Sequence, residues 1–298
     1  MSTTTRRGFL TTTGAGVAGA LAATAHAAEK PQAPSVGEKT WLTYAVNIEM
    51  IWGNLTVPQR LKNVAEAGFT HYEFWPWKNK NIDEMVKLNA ELGLVPVQFS
   101  AFWGITNPTR KPEFLQAVKD AIPVAKKLGV KKMCVVAGET TDSLSIDEQN
   151  KAVVEALKAA ADIVGPEDIM IILEPLNVLV NHPRQLVVTS KHAAQILKAV
   201  GSPHVKMLFD CYHQQISEGN LTGNIRKYKE LIGYFQIADH PGRHEPGTGE
   251  VNWGHVLRVI HDIGYRDAIG LELSPHHDAK AALKAVRQAD AEARERSI

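Results

Sequence analysis

At 298 residues, 44% of them hydrophobic, the chain is long enough to build one large core, and a single α/β barrel commonly takes about 250 residues. Its 33 Lys and Arg against 32 Asp and Glu leave a formal net charge of +1. Both signs are mixed along the chain, which argues against nucleic acid or an anionic membrane as the main partner, since each selects clustered cations.

Residues 1–27 read as a segment separate from the fold. Thr5-Arg6-Arg7-Gly8-Phe9-Leu10 resembles a twin-arginine export signal, followed by a mildly apolar run from Thr13 to Ala25 and the small-x-small site Ala25-His26-Ala27. The expectation is a signal peptide cleaved near Ala28, a periplasmic or otherwise extracytoplasmic product, and no membrane anchor after cleavage. The apolar run is too short and weak for a permanent span, which takes about 20 strongly apolar residues. Residues 28–40, with Pro31, Pro34 and Gly37, read as a linker. The two cysteines, Cys134 and Cys211, fall on or just after different strands and read as structural thiols.

From Trp41 to the end, residues 41–298 alternate short apolar runs with helical patterns. The expected strands are Leu42–Asn47, Thr70–Phe74, Leu94–Phe99, Lys132–Val136, Ile169–Leu173, Val205–Phe209, Tyr234–Ile237 and Ala268–Leu271. Between them lie amphipathic stretches such as Val57–Ala67, with Val57, Leu61 and Val64 at helical spacing. Ser145-Ile146-Asp147-Glu148 is a capping box, and Gly68, Gly93, Gly129 and Gly264 stop helices. Eight successive pairs of apolar run and helical pattern, several of them joined by a helix-stopping glycine, predict one closed (β/α)8 TIM barrel with a parallel sheet.

Chemistry in such a barrel sits where the strands end. The first three expected strands end in Asn47/Glu49, Glu73/Trp75 and Ser100/Trp103, and the fifth to eighth end in Glu174, Asp210, Gln236 and Glu272. A carboxylate facing a barrel interior costs several kcal/mol unless it is paired or binds a cation. Four oxygen donors from four adjacent strands suit one divalent ion, Mn²⁺ or Mg²⁺ rather than Zn²⁺, with positions open to water or substrate. The stretch Leu231–Trp253 then carries Asp239, His240, Arg243, His244 and Glu245 on a loop rich in glycine and proline. Aromatic residues Trp52, Phe74, Trp75, Trp77, Phe102 and Trp103 cluster near the first three strand ends, as an apolar wall for substrate or as rim packing. From these positions Glu73 and Trp103 are expected to contact substrate.

Two carboxylates flanking a chelated hydroxy-carbonyl compound could take a proton from one carbon and return it to its neighbour. The motifs Leu173-Glu174-Pro175-Leu176-Asn177, Phe209-Asp210-Cys211-Tyr212-His213-Gln214-Gln215, Gln236-Ile237-Ala238-Asp239, His244-Glu245-Pro246-Gly247-Thr248-Gly249-Glu250 and Leu271-Glu272-Leu273 resemble those of xylose-isomerase-like barrels, specifically the hydroxypyruvate isomerase group. The resemblance spans the whole chain after the export segment. It implies that Glu174 and Glu272 bind the metal and act as the acid/base pair, that Asp210 and Gln236 complete the metal set, and that His213 and Arg243 bind substrate oxygens. Position 236 is histidine in many such enzymes and glutamine here, and Val178–His182 lacks the acidic residue that helps hold the sugar in related ketose epimerases. The expected function is a metal-dependent isomerase acting on a small hydroxy-keto acid through a cis-enediolate. Alternatives are a ketose 3-epimerase, a keto-sugar lyase or dehydratase, or an exported sugar-binding protein without turnover. A homo-oligomer is left open.

Overall fold

A computed structural model describes residues 39–296. The expected signal peptide, and all of the expected linker but its last two residues, lie outside the described residues.

Eight parallel strands close on themselves in sequence order, so that β1 (Tyr44–Asn47) pairs with both β2 (His71–Phe74) and β8 (Ile269–Leu271). Between those lie β3 (Val95–Trp103), β4 (Lys132–Val136), β5 (Met170–Glu174), β6 (Val205–Asp210) and β7 (Ile232–Ile237). The fold is a single (β/α)8 TIM barrel. All eight expected strands are present. The third runs four residues further than its apolar run, because the backbone continues past an irregularity between Ser100 and Phe102 in its pairing with β4.

Helices α1 (Val57–Glu66), α2 (Ile82–Leu92), α3 (Lys111–Leu128), α4 (Ile146–Val164) and α5 (Ser190–Val200) surround the first half of the barrel. Two short helices, α6 (Cys211–Ser217) and α7 (Leu221–Tyr228), share the connection from β6 to β7, followed by α8 (Trp253–Asp262) and α9 (Ala279–Glu295). The capping box at Ser145 forms as the sequence predicts: its hydroxyl accepts from the Glu148 N–H, and the Glu148 carboxylate accepts from the Ser145 N–H at 2.8 Å. Left-handed Gly93 and Gly129 end α2 and α3, where a side chain at positive φ would be strained. Among the described residues, no helix is long and apolar enough to cross a membrane.

Strand periodicity divides the interior in two. Outward-facing Val46, Phe74, Phe99, Ile171, Phe209 and Phe235 pack under the helices, while Ala45, Cys134, Ile172, Leu208 and Tyr234 fill the barrel itself. Each fully buried large apolar side chain contributes about 1.5–3 kcal/mol. The last helix ties the barrel shut at its seam. Asp290 on α9 accepts from the backbone N–H of Trp41 at 2.6 Å and Leu42 at 3.0 Å, and from the Tyr44 hydroxyl at 3.0 Å.

Candidate active site

Along β5 to β8 the inward residues step from an apolar layer to a polar one. Ile172 is followed by Glu174, Leu208 by Asp210, Tyr234 by Gln236, and Gly270 by Glu272. The polar layer lies at the C-terminal ends of the strands, at the base of a cavity of about 610 Å³. Glu174, His213, Arg243 and Glu272 form one side of that cavity, and Trp75, Trp77, Phe102 and Trp103 form the other. Trp103 is 46% exposed at the rim, and its ring lies 5.5 Å from that of His182.

Asp210 closes β6 and opens α6 at once. Its Oδ1 accepts from the Tyr212 N–H at 2.9 Å, which caps the helix and fixes the carboxylate, while Oδ2 accepts from Arg243 Nη2 at 2.8 Å. Arg243 comes from the β7–α8 loop, in the left-handed region at φ 59. The same Nη2 donates to Glu272 Oε2 at 2.5 Å, and Nε donates to the Glu272 carbonyl at 3.1 Å. One guanidinium thus bridges two of the expected metal ligands.

Three carboxylates share this pocket with that one guanidinium. Burial, reinforced by the nearby Asp210, pushes the Glu174 carboxyl up to about 8. Burial likewise raises Glu272 well above the usual carboxylate range, and Asp210 to a lesser degree, with Arg243 opposing both shifts. The Cys134 thiol donates to Glu174 Oε2 across 3.5 Å. A cluster with this surplus of buried negative charge calls for a further cation.

His213 sits one turn beyond Asp210 and is buried. The backbone N–H of Asn177 donates to His213 Nδ1 at 3.3 Å, and the Asn177 side-chain amide faces the same nitrogen at 2.6 Å. A backbone N–H can only donate, so Nδ1 is an acceptor, and Nε2 in turn faces Arg243 Nη1, likewise only a donor, at 2.9 Å. Nε2 also lies 3.5 Å from Asp210 Oδ2 and 3.9 Å from Glu174 Oε1. Burial first, then Arg243 and His182, hold the imidazole well below its ordinary value, hence neutral.

Glu174, Asp210 and His213 each offer a ligand atom within 4.8 Å of the others, so this trio could hold a metal ion. Glu272 stands outside that trio, paired with Arg243. Gln236 and Glu73 lie beneath the cavity rather than in its wall. Gln236 is hydrogen-bonded through Nε2, and its Oε1 is buried without a partner. An orphaned buried oxygen beside three carboxylates is a donor set that fits a hard divalent cation. Glu73, expected to touch substrate, is fully buried and hydrogen-bonded to four side chains, because β2 places it one level deeper than the rim.

Several working residues escaped the sequence reading. Asn177 orients His213, Cys134 supports Glu174, and Asp239 organises the long loop by accepting from the N–H groups of His240, Gly247 and Val251. Asn177 and Asp239 stand inside recognisable sequence motifs, but their roles depend on contacts the sequence does not show. Only the position of Cys134 on the fourth strand could have pointed to it.

The sequence pattern of the xylose isomerase-like TIM barrel family matches residues 61–289. The chain belongs to that family. A hydroxypyruvate isomerase of Escherichia coli (strain K12) is 31% identical over 255 residues, covering 82% of this chain and 97% of that protein. A 2-oxo-tetronate isomerase of Cupriavidus necator is 28% identical over 250 residues, covering 80% and 95%. Among solved structures, a family 2 AP endonuclease of Brucella melitensis superposes with a TM-score of 0.78 at 28% identity, covering 81% of this chain and 96% of that one. This kinship makes the chain an isomerase.

Proposed function

We propose that this protein is a metal-dependent isomerase of a small hydroxy-carbonyl compound, of the hydroxypyruvate isomerase type, moving a proton between adjacent carbons. The observation that carries the reading is the pair Glu174 and Glu272, both buried with raised carboxyl values, facing one cavity from the ends of β5 and β8. A carboxyl held near neutrality is matched to both halves of a proton transfer at ordinary pH. One glutamate takes the proton from the carbon beside the carbonyl, leaving a cis-enediolate. The other delivers a proton to the neighbouring carbon while the hydroxyl proton of the first carbon passes to the former carbonyl oxygen, so that the carbonyl has moved by one position.

Glu174, Asp210, Gln236 and Glu272 are the residues that would hold a divalent ion, Mn²⁺ or Mg²⁺. Such an ion supplies Lewis-acid stabilisation of the oxyanion that develops on the substrate. His213, whose Nε2 faces Arg243 Nη1 at 2.9 Å between Asp210 and Glu174, lies where it and Arg243 can meet a substrate oxygen together. Arg243 can donate to a substrate oxygen with the guanidinium that now bridges Asp210 and Glu272. The tryptophan wall narrows access and limits water around the enediolate.

Protein loaded with Mn²⁺ and incubated with hydroxypyruvate in D₂O tests the reading by NMR. Deuterium entering the substrate carbon alongside tartronate semialdehyde is the expected result. Turnover equally fast after exhaustive chelation would overturn the metal requirement. The twin-arginine pattern supports a further proposal, an extracytoplasmic mature form, and an intact Met1 on protein from the native cell would sink it.

A further inference from the structure

Glu73 is the buried acid that the reaction just described does not use. Its Oε1 accepts from Asn47 Nδ2 and Gln236 Nε2, each at 2.9 Å. Its Oε2 accepts from Gln98 Nε2 at 2.9 Å and from the Tyr234 hydroxyl at 2.8 Å. Four donors from β1, β3 and β7 therefore converge on one carboxylate at the centre of the barrel. Its group is saturated, and substrate has no free edge of it to meet.

The consequence falls on Gln236. An amide has one oxygen end and one nitrogen end, and only the nitrogen can face a carboxylate without repulsion. Because Glu73 holds the nitrogen, Oε1 is the end left open, and that oxygen is buried with no partner. Gln236 sits opposite Asp210 on β6, and opposite Gly270, two residues before Glu272, on β8. The packing leaves little freedom for another arrangement. A Cβ at position 270 would come within 2.6 Å of Glu73 Oε2 and 2.7 Å of Gln236 Cγ, so glycine there makes room for the pair.

We infer that Glu73 is a positioning residue that locks the Gln236 amide so that its oxygen, never its nitrogen, is presented to the cation. The inference rests on the reading of Gln236 as a ligand. A fixed carboxylate also polarises the amide, making its oxygen a better donor. A histidine at this place would bring a ligating nitrogen of its own. An amide can turn its wrong end, and here Glu73 prevents it.

The test is Mn²⁺ affinity, measured by calorimetry or by electron paramagnetic resonance of free Mn²⁺, with no substrate present. Glu73→Gln removes the charge and replaces one of the two acceptor oxygens by a donor, so position 73 no longer dictates which end of Gln236 faces it and the amide can offer N–H to the metal. The expected loss is about 10–100-fold in affinity, as for other partners that orient a ligand. Gln236→Ala should lose a similar amount, and the double variant should bind no more weakly than Gln236→Ala alone. Tyr234→Phe, which removes a different donor from the other oxygen of the same carboxylate, should change affinity by less than about 3-fold, because the bond from Gln236 to Oε1 is left in place. Should Glu73→Gln not fold, Glu73→Asp is read in the same way, since the shortened acid stretches its bond to Gln236. Unchanged affinity in the Glu73 variant, or losses that multiply in the double variant, overturns the inference. Wild-type protein that binds no Mn²⁺ overturns it together with the metal reading, and the two failures are told apart by that wild-type titration.

Discussion

Burial pushes the Glu174 carboxyl up to about 8 and Glu272 well above its usual range, and those shifts decide what a conservative change does. Glu174→Gln and Glu272→Gln keep an oxygen that can face a metal, and remove only the ability to carry a proton. Each should lower kcat by 10²-fold or more, the loss expected for a positioned proton carrier, while Mn²⁺ binding weakens only in part. Steady-state kinetics beside a Mn²⁺ titration checks both, and variants keeping more than about a tenth of the activity would make the glutamates ligands only. Residue by residue, the candidate site was largely legible in the sequence, because an ionisable group directly after an apolar strand is conspicuous. Glu73 was legible as a strand-end acid but not as a buried one. A two-residue alternation says which way a side chain points and not how deep its strand is set.

The β7–α8 loop shows what an element adds beyond its residues. It carries Arg243 into the site, and Asp239 holds it by accepting from three backbone N–H groups between 2.9 and 3.2 Å. Gly249 belongs to the same arrangement, since a Cβ there would lie 2.1 Å from the His240 carbonyl oxygen. Asp239→Asn keeps the shape but turns an acceptor into a donor, which leaves one of those N–H groups facing an N–H. The expected cost is about 1–3 kcal/mol in stability, with kcat lowered as Arg243 loses its fixed approach. Thermal unfolding together with kcat measures the two effects separately. The sequence marked this loop by its glycines, prolines and charged residues. It did not reveal that Asp239 faces inward as an organiser while Arg243 reaches back to β6 and β8, because both depend on how the loop folds over itself.

For the whole molecule, the carboxylate cluster couples stability to pH and to metal. Glu174 has an ordinary value of 4.5 and stands near 8 in the folded protein. A raised folded value means that the folded state binds the proton more tightly, so the stabilisation is complete below about pH 4.5 and is lost as pH rises toward 8. For Glu174 alone the span is roughly 5 kcal/mol at most, from about 1.4 kcal/mol per pH unit. Chelated protein should therefore unfold at progressively lower temperature between about pH 6.5 and 8, above the range in which the lowered histidines, His213 among them, act in the opposite direction. Added Mn²⁺ should restore more of the melting temperature at pH 8 than at pH 6, and Glu174→Gln should flatten the chelated profile. Calorimetric scans across that range check all three. At this scale the sequence was most informative, since eight repeated units imply the barrel. The seam was not readable, because Asp290 meets Leu42 across 248 residues of chain.

The aromatic wall of the cavity has an optical consequence. The chain holds six tryptophans, and three of them, Trp75, Trp77 and Trp103, border the same cavity. Trp103 is half open to solvent, whereas Trp253 lies buried in the core. A ligand entering the cavity changes the polarity around half of the indoles at once. The protein's own emission therefore reports occupancy of the site, without a label and without turnover.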